Sequence, residues 1–228
     1  FDTNKLNDIL EKIKPDFVIN CAGILNKTAE ENPDIAIFVN GYIPHYLDKM
    51  SIKYNYKLIH ITTDCVFSGK AGNYKENDFK DATSYYGMSK SIGEVNNNRT
   101  FTIRTSIIGP DENPNGIGLF NWFMSQKGTV NGFTNVFWSG VTTLELSKAI
   151  EYSFNKNITG IYHLTNGIKI SKYDLLKLIQ KEFDKKDVEI IPYDNYFSDK
   201  SLVNTRTDFD FNVKSYEVML KEMHLTRF

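Results

Sequence analysis

Lys57-Leu58-Ile59-His60-Ile61-Thr62-Thr63-Asp64 is the stretch on which the fold turns. It is a short, mostly apolar run closed by two hydroxyls and a carboxylate, the pattern of a buried strand with a polar mouth. An earlier run, Phe17-Val18-Ile19-Asn20-Cys21-Ala22, has the same character and reads as a strand covered on both faces. Between the two, Pro33 opens a helix that continues through Ile37, Tyr42 and Leu47. A loop rich in Gly, Asn and Asp follows at 68–81, then an expected helix from Tyr86 to Val95 and a third strand from Thr100 to Ser106. Strand, helix, strand, helix, strand predicts a parallel sheet with crossover helices. In such a sheet ligands lie beyond the carboxyl ends of the strands. Three polar clusters fall there: Asn20-Cys21-Ala22-Gly23, Thr62-Thr63-Asp64 and Arg104-Thr105-Ser106.

Elsewhere the spacing of Leu6, Ile9, Leu10 and Ile13 predicts an opening helix, capped by Asp2 or Thr3 and ended at Pro15-Asp16. Helices are expected at 119–126, 142–154, 171–183 and 213–223, with short strands at 160–164 and 188–192. The 228 residues suffice for one large α/β domain or a core with a small lobe. With 41% hydrophobic and 24% charged residues the balance is that of a globular protein. A net charge of -1 supplies no basic field for duplex binding, so no nucleic-acid partner is expected. No stretch is long and apolar enough to span a bilayer and no signal peptide is read, so a cytoplasmic protein without a membrane partner is expected. Cys21 and Cys65, each closing a hydrophobic run, read as reduced thiols. His45, His60, His163 and His224 lack ligand spacing, and no metal is expected.

Tyr86 and Lys90 supply a phenol and an ammonium four residues apart, on one face of a helix. The spacing alone says little, because Tyr152/Lys156, Tyr173/Lys177 and Tyr196/Lys200 share it. Only the first pair follows a buried strand that ends in paired hydroxyls. Reducing a carbonyl by hydride builds negative charge on oxygen, which needs a proton donor and a hydrogen-bond donor within reach. A free phenol has a pKa of about 10, and a neighbouring ammonium is expected to lower it. Thr63 adds a hydroxyl for the same oxygen.

These stretches, together with Tyr74-x-Glu76-x-Asp78, Gly93-Glu94 and Ile103-Arg104-Thr105-Ser106, resemble the extended short-chain dehydrogenase/reductases, and within them the dTDP-4-dehydrorhamnose reductase group. The likeness covers roughly residues 15–110 in order and is looser beyond. It implies a Rossmann-like doubly wound parallel sheet, N-terminally incomplete, at 1–110, and mainly a small C-terminal substrate-binding lobe at 111–228, with 142–165 returning to the Rossmann core. It implies NADPH or NADH as cofactor and a nucleotide-diphospho-sugar with a 4-keto-6-deoxy ring as substrate, in the synthesis of surface polysaccharide precursors. A homodimer is compatible with it. By resemblance Tyr86 is the acid, Lys90 tunes it and holds the nicotinamide ribose, Thr63 polarises the substrate carbonyl and Asp64 orders the site. Ala22 and Gly23 would lie against the adenosine side, and Asn40 matches the family's helix asparagine at the cofactor. Thr105 and Ser106 would sit near the nicotinamide or substrate. Phe137-Trp138-Ser139-Gly140-Val141-Thr142 would shape the sugar-nucleotide pocket, with Trp138 toward the substrate and plain core as the other reading of Phe137 and Trp138.

Three departures accompany the resemblance. No Gly-x-x-Gly-x-x-Gly turn opens the chain, and about 50 residues of strand–helix–strand units are expected upstream. Without them 17–21 would be an exposed hydrophobic edge, which proteins normally cover. Ile107 follows Ser106 where the family often carries Trp, and 137–143 differs from the rhamnose reductases, so another 4-keto sugar nucleotide stays open. Two alternatives remain: an epimerase or dehydratase of the same superfamily, disfavoured because Cys65 stands where a second acid is common, and a non-catalytic regulatory subunit on this fold.

Overall fold

The computed structural model describes residues 2–111, 116 and 118–226. They form two compact units. The first comprises Phe1–Phe67, Phe79–Arg104 and Phe154–Tyr162; the second comprises Ser68–Asp78, Thr105–Ser153 and His163–Phe228. Residues 142–153, which the resemblance returns to the Rossmann core, group with the second unit, and only Phe154–Tyr162 with the first.

In the first unit Asp2 caps α1 (Thr3–Ile13), its carboxylate accepting the Asn4 and Lys5 amides at 2.9 and 3.4 Å. Lys14 ends the helix in the left-handed region, and β1 (Phe17–Asn20) follows. A short helix α2 (Asn26–Glu31) leads to a longer helical run of three parts. These are α3 (Pro33–Ala36), with proline at its first turn, a wider π turn at Ile37–Tyr42, and α4 (Ile43–Tyr54). Asn55 at φ 55 closes α4, and β2 (Lys57–Thr63) returns through the sheet. Then come α5 (Tyr85–Ile92) and β3 (Phe101–Thr105).

The sheet order is β1, β2, β3 and a later strand, Gly160–His163. β1 runs parallel to β2, with Asn20 opposite His60. β2 and β3 are the buried centre; all five residues of β3 are buried. β1 shows the exposed edge expected where no further strand lies beside it, not cover on both faces. As the outer strand among the described residues it is only half covered, and Ile19 is 43% exposed. On one side the sheet carries a cluster of Leu10, Leu47, Tyr56 and Leu58, with Leu6, Val18, Ile43, Met50 and Tyr54 packed against it. Buried Asp48 pins α4 to the start of β3, accepting from Thr100 Oγ1 at 2.6 Å, Asn97 Nδ2 at 2.9 Å and Arg99 Nη2 at 2.9 Å. Its carboxyl titrates below the usual range because these three partners together outweigh the cost of burial, the largest single influence.

The second unit is built from small pairings. Gly128–Phe133 runs parallel to Val188–Tyr193, and Val136–Trp138 lies between Ser198–Asp199 and Ile170–Ser171. Ile107–Ile108 pairs with Val141–Thr142. Helices Leu119–Ser125, Thr143–Ser153, Lys172–Glu182 and Tyr216–Leu225 complete it, the last two capped by Ser171 and Ser215. No described helix is long and apolar enough to cross a membrane.

Candidate active site

The carboxyl end of β2 is the centre of the site. Thr63 leaves the strand with extended backbone, and its hydroxyl oxygen accepts the Cys65 amide at 3.1 Å, capping a single turn at Asp64–Val66. Thr63 Oγ1 also donates to buried Asp64 Oδ1 at 3.1 Å. Tyr86 is brought there by the way α5 starts. Ser84 caps the helix by accepting the Gly87 amide at 3.1 Å. A Cβ on Gly87 would stand 2.3 Å from the Cys65 carbonyl oxygen and 2.6 Å from the Ala82 methyl. Only glycine lets the helix approach the strand-end turn so closely. At the other end of α5, a Cβ on Gly93 would lie 1.8 Å from the Asn40 carbonyl oxygen, so the helix is clamped at both ends by backbone contact.

Lys90 is buried and donates to the Ile61 carbonyl at 2.9 Å, one of the three bonds an ammonium can give. Burial pushes its pKa down to about 8, while Glu94 and then Cys21 pull it back up. The phenol departs from the sequence expectation. Tyr86 is raised above its ordinary value, chiefly by burial and then by Cys65, and the Thr63 hydroxyl opposes this only in part. Lys90, turned toward Ile61, is not the group that sets it. Tyr86 is therefore a protonated donor at neutral pH. Beneath the site His60, fully buried, accepts at Nδ1 from Asn20 Nδ2 at 3.2 Å and is held at about 3 by burial and by Lys90, so its ring is neutral. The Cys21 thiol is raised by burial, with Lys90 opposing.

Ala22 and Gly23 follow β1 in an exposed loop, and the Ala22 amide donates to Asn20 Oδ1 at 3.2 Å. Asn40 sits in the π turn, fully buried, and its amide is spent within the protein. It accepts from the Ile24 amide at 2.8 Å and donates to the Ile24 carbonyl at 2.9 Å and to Ser89 Oγ at 3.0 Å. One side chain thus ties the loop after β1 to the helix carrying Tyr86 and Lys90. The first unit gathers Thr63, Asp64, Tyr86, Lys90, Ala22, Gly23 and Asn40.

Thr105, Ser106 and Trp138 belong to the second unit. Thr105 Oγ1 donates to the Leu164 carbonyl at 2.8 Å, and the Ser106 carbonyl accepts the Val141 amide at 2.9 Å. Trp138, expected as a pocket wall, is instead core: it is 2% exposed, beside Tyr216 and under Lys172. A Cβ on Gly140 would meet its ring at 2.5 Å, so the indole is boxed in by the turn that follows it. Sequence reasoning quoted Gly93-Glu94 without assigning it a part. Glu94 is wholly buried and forks onto Arg104, whose Nε and Nη2 lie 2.7 and 2.6 Å from its two oxygens. The signal available was a carboxylate in one quoted motif and a guanidinium in the next.

A parallel α/β sheet that gathers a threonine hydroxyl, a tyrosine phenol and a buried lysine at the end of one strand defines the short-chain dehydrogenase/reductase class. Within that class, a family profile described as RmlD substrate binding domain matches residues 1–201, and the chain belongs to this family. It is 29% identical over 175 residues to the spore coat polysaccharide biosynthesis protein SpsK of Bacillus subtilis, covering 74% of this chain and 62% of that protein. The chain thus spans less than two thirds of that relative. It is 26% identical over 224 residues to a dTDP-4-dehydrorhamnose reductase of Aggregatibacter actinomycetemcomitans, covering 92% of this chain and 73% of the relative. The fold is that of the Bacillus anthracis dTDP-4-dehydrorhamnose reductase solved in complex with NADP: TM-score 0.86, 21% identity, 99% of this chain and 86% of that one.

Proposed function

We propose that the protein carrying this chain is an NAD(P)H-dependent reductase of a nucleotide-linked 4-keto-6-deoxy sugar, of the dTDP-4-dehydrorhamnose reductase kind. The observation that carries the reading is the close crossing of α5 over the strand-end turn at Gly87, which sets Tyr86 and buried Lys90 beside the Thr63 end of β2. The cofactor supplies a hydride to the carbonyl carbon when bound. Lys90 uses one hydrogen bond on Ile61, which leaves its remaining N–H groups to suit ribose hydroxyls. Tyr86 gives its proton to the carbonyl oxygen, and Thr63 donates to that oxygen or to the phenolate left behind. Solvent then returns the proton to the phenolate. A phenol raised by burial suits this direction, because an acid must hold its proton at working pH. Ala22 and Gly23 support the adenosine side, and Asn40 acts there through the Ile24 loop that it grips. Asp64 braces Thr63.

The first unit then serves cofactor and catalysis, and the second serves mainly the sugar nucleotide, with Thr105 and Ser106 toward the nicotinamide or substrate. The sugar feeds surface polysaccharide synthesis in the cytoplasm, a reading supported by the relative named for spore coat polysaccharide. Exposed Tyr42, Met88 and Ile92 on adjoining helical segments offer apolar surface for a homodimer. The test is turnover by the natural polypeptide with dTDP-4-dehydrorhamnose and either NADPH or NADH, followed by cofactor oxidation and product mass. Tyr86→Phe is expected to lose at least about 100-fold in kcat while remaining folded. Full activity in that variant, or no turnover by the wild type on any 4-keto-6-deoxy sugar nucleotide, overturns the reading.

A further inference from the structure

Within the first unit, the amino ends of the sheet strands frame an open cavity of about 650 Å3 that the proposed reaction does not use. That volume is in the range of small-molecule sites. Phe17 opens β1, Lys57 opens β2, and Thr159 precedes the fourth strand, Gly160–His163. Thr63 closes β2 at its other end, about 20 Å away at roughly 3.3 Å per residue. The cavity therefore lies at the end of the sheet opposite the catalytic groups. Its apolar part is a ring pair, Phe17 and Phe154, with centroids 4.5 Å apart and planes at 35°. Its charged part is wholly cationic: Lys57, Arg99 and Lys156 line it, and no aspartate or glutamate does. Lys57 is half-buried and donates to the Lys156 carbonyl at 2.6 Å, one of the three bonds an ammonium can give. No described carboxylate pairs with it, and burial pushes its pKa down with no neighbouring charge to oppose this. Arg99 spends Nη2 on Asp48 Oδ2 at 2.9 Å, and its other side-chain N–H groups make no hydrogen bond to described residues. A partly desolvated ammonium with no counter-ion carries a cost that a bound anion offsets.

We propose that this cavity is a second binding site of the protein and takes a small ring-bearing phosphate ester, its phosphate against Lys57 and Arg99 and its ring against Phe17 and Phe154. Three cations favour a phosphate, which carries close to two negative charges at neutral pH, over the single charge of a carboxylate. The arginine fork matches phosphate oxygens, and each such bond is charge-assisted. The phenylalanine pair offers an aromatic face for offset stacking. Asn55, the left-handed residue that ends α4, and Asn98 add amides able to meet polar groups on such a ring. Because the site is at the amino ends of the strands, its ligand does not compete for the space around Thr63. The site owes nothing to the reductase reading, and its test needs no turnover.

The probe is phenyl phosphate, titrated into the nitrogen-labelled natural polypeptide while the amide resonances of Phe17, Lys57, Phe154 and Thr159 are followed. Saturable shifts at these residues are expected, with a Kd on the order of 1 mM or below, the affinity open to so small a ligand. Lys57→Met keeps the apolar stem and is expected to weaken binding at least about tenfold, the loss of a hydrogen bond to a charged group. Lys57→Arg is expected to hold the affinity within about threefold. Phe154→Ile, which leaves the cations in place, is expected to weaken phenyl phosphate and not inorganic phosphate; this comparison carries the test should Lys57→Met fail to fold. No saturable shift at these residues up to about 20 mM overturns the proposal, as does equal affinity in the wild type and a folded Lys57→Met. Shifts confined to the Ala22–Gly23 loop put the probe at the other end of the sheet and overturn it as well. Inorganic phosphate binding as tightly as phenyl phosphate overturns the ring-bearing class of ligand.

Discussion

Acidification should weaken this protein through His60 before most carboxylates respond. The ring is fully buried in β2, its Nδ1 accepts from Asn20, and its Nε2 has no hydrogen-bond partner among the described residues. Charging it would place a cation beside Lys90 in a dry interior. Its pKa accordingly falls from 6.5 to about 3 in the folded state. The unfolded chain thus binds the proton first. Stability is complete above about pH 6.5 and is lost as pH falls toward 3, with a ceiling on the order of 4–5 kcal/mol for the whole window. Relative to pH 7, the loss is about 2 kcal/mol at pH 5 and about 3 kcal/mol at pH 4. Urea unfolding of wild type and His60→Asn at these pH values measures it. The asparagine oxygen can still accept from Asn20 but does not titrate, so other groups cancel in the difference. The stability advantage of the wild type over the variant should shrink by about 2 kcal/mol from pH 7 to pH 5. An advantage constant within about 0.5 kcal/mol would refute the claim that His60 is buried neutral.

Other outcomes follow from the same geometry. Gly93→Ala forces a methyl into the Asn40 carbonyl and should cost about 3 kcal/mol or more in urea unfolding, since backbone on both sides must move. Asp48→Asn should cost about 1–2 kcal/mol at pH 7 by weakening the tie from α4 to Thr100, Asn97 and Arg99. Because the Asp48 pKa is depressed, that cost is full above the unfolded value of 3.8 and fades as pH falls through the lower folded value. Thr63→Val removes the hydroxyl at the end of β2; kcat should fall at least about tenfold with an unchanged melting profile, as read by turnover and circular dichroism.

The first unit was legible because its chemistry follows its periodicity. Apolar runs at 57–62 and 100–106 became the buried strands β2 and β3, and the polar residues closing 57–64 lie at the end of β2. The run at 17–22 was read as doubly covered, but coverage depends on neighbours that a local pattern does not contain, and Ile19 is half exposed. Gly128–Phe133 carries two glycines and an asparagine, so it resembles a turn and becomes a strand only through pairing with Val188–Tyr193. In sequence Lys90 and Glu94 look like an ordinary solvated i, i+4 pair; Arg104 and Thr62, distant in the chain, are what make the carboxylate internal. The phenol was misjudged for a similar reason. Spacing placed the ammonium nearby but could not show that it turns to the Ile61 carbonyl. Gly87 and Gly93 stood in plain view, yet their necessity lies in the backbones that cross them.

The π turn at Ile37–Tyr42 holds one residue more than a regular α-helix needs over the same span. Such a surplus makes the helical run at 33–54 sensitive to length as much as to composition. Deleting one residue there would let the run relax into uninterrupted α-helix, a change that hydrogen-bond counting scores as harmless. Because the span stays the same, the flanking segments would keep their register, and only residues within the turn, Asn40 among them, would change direction. Asn40 would then swing away from Ile24 or from Ser89. In a drifting lineage, a single lost codon in this turn would leave a well-folded protein with its loop and its catalytic helix uncoupled.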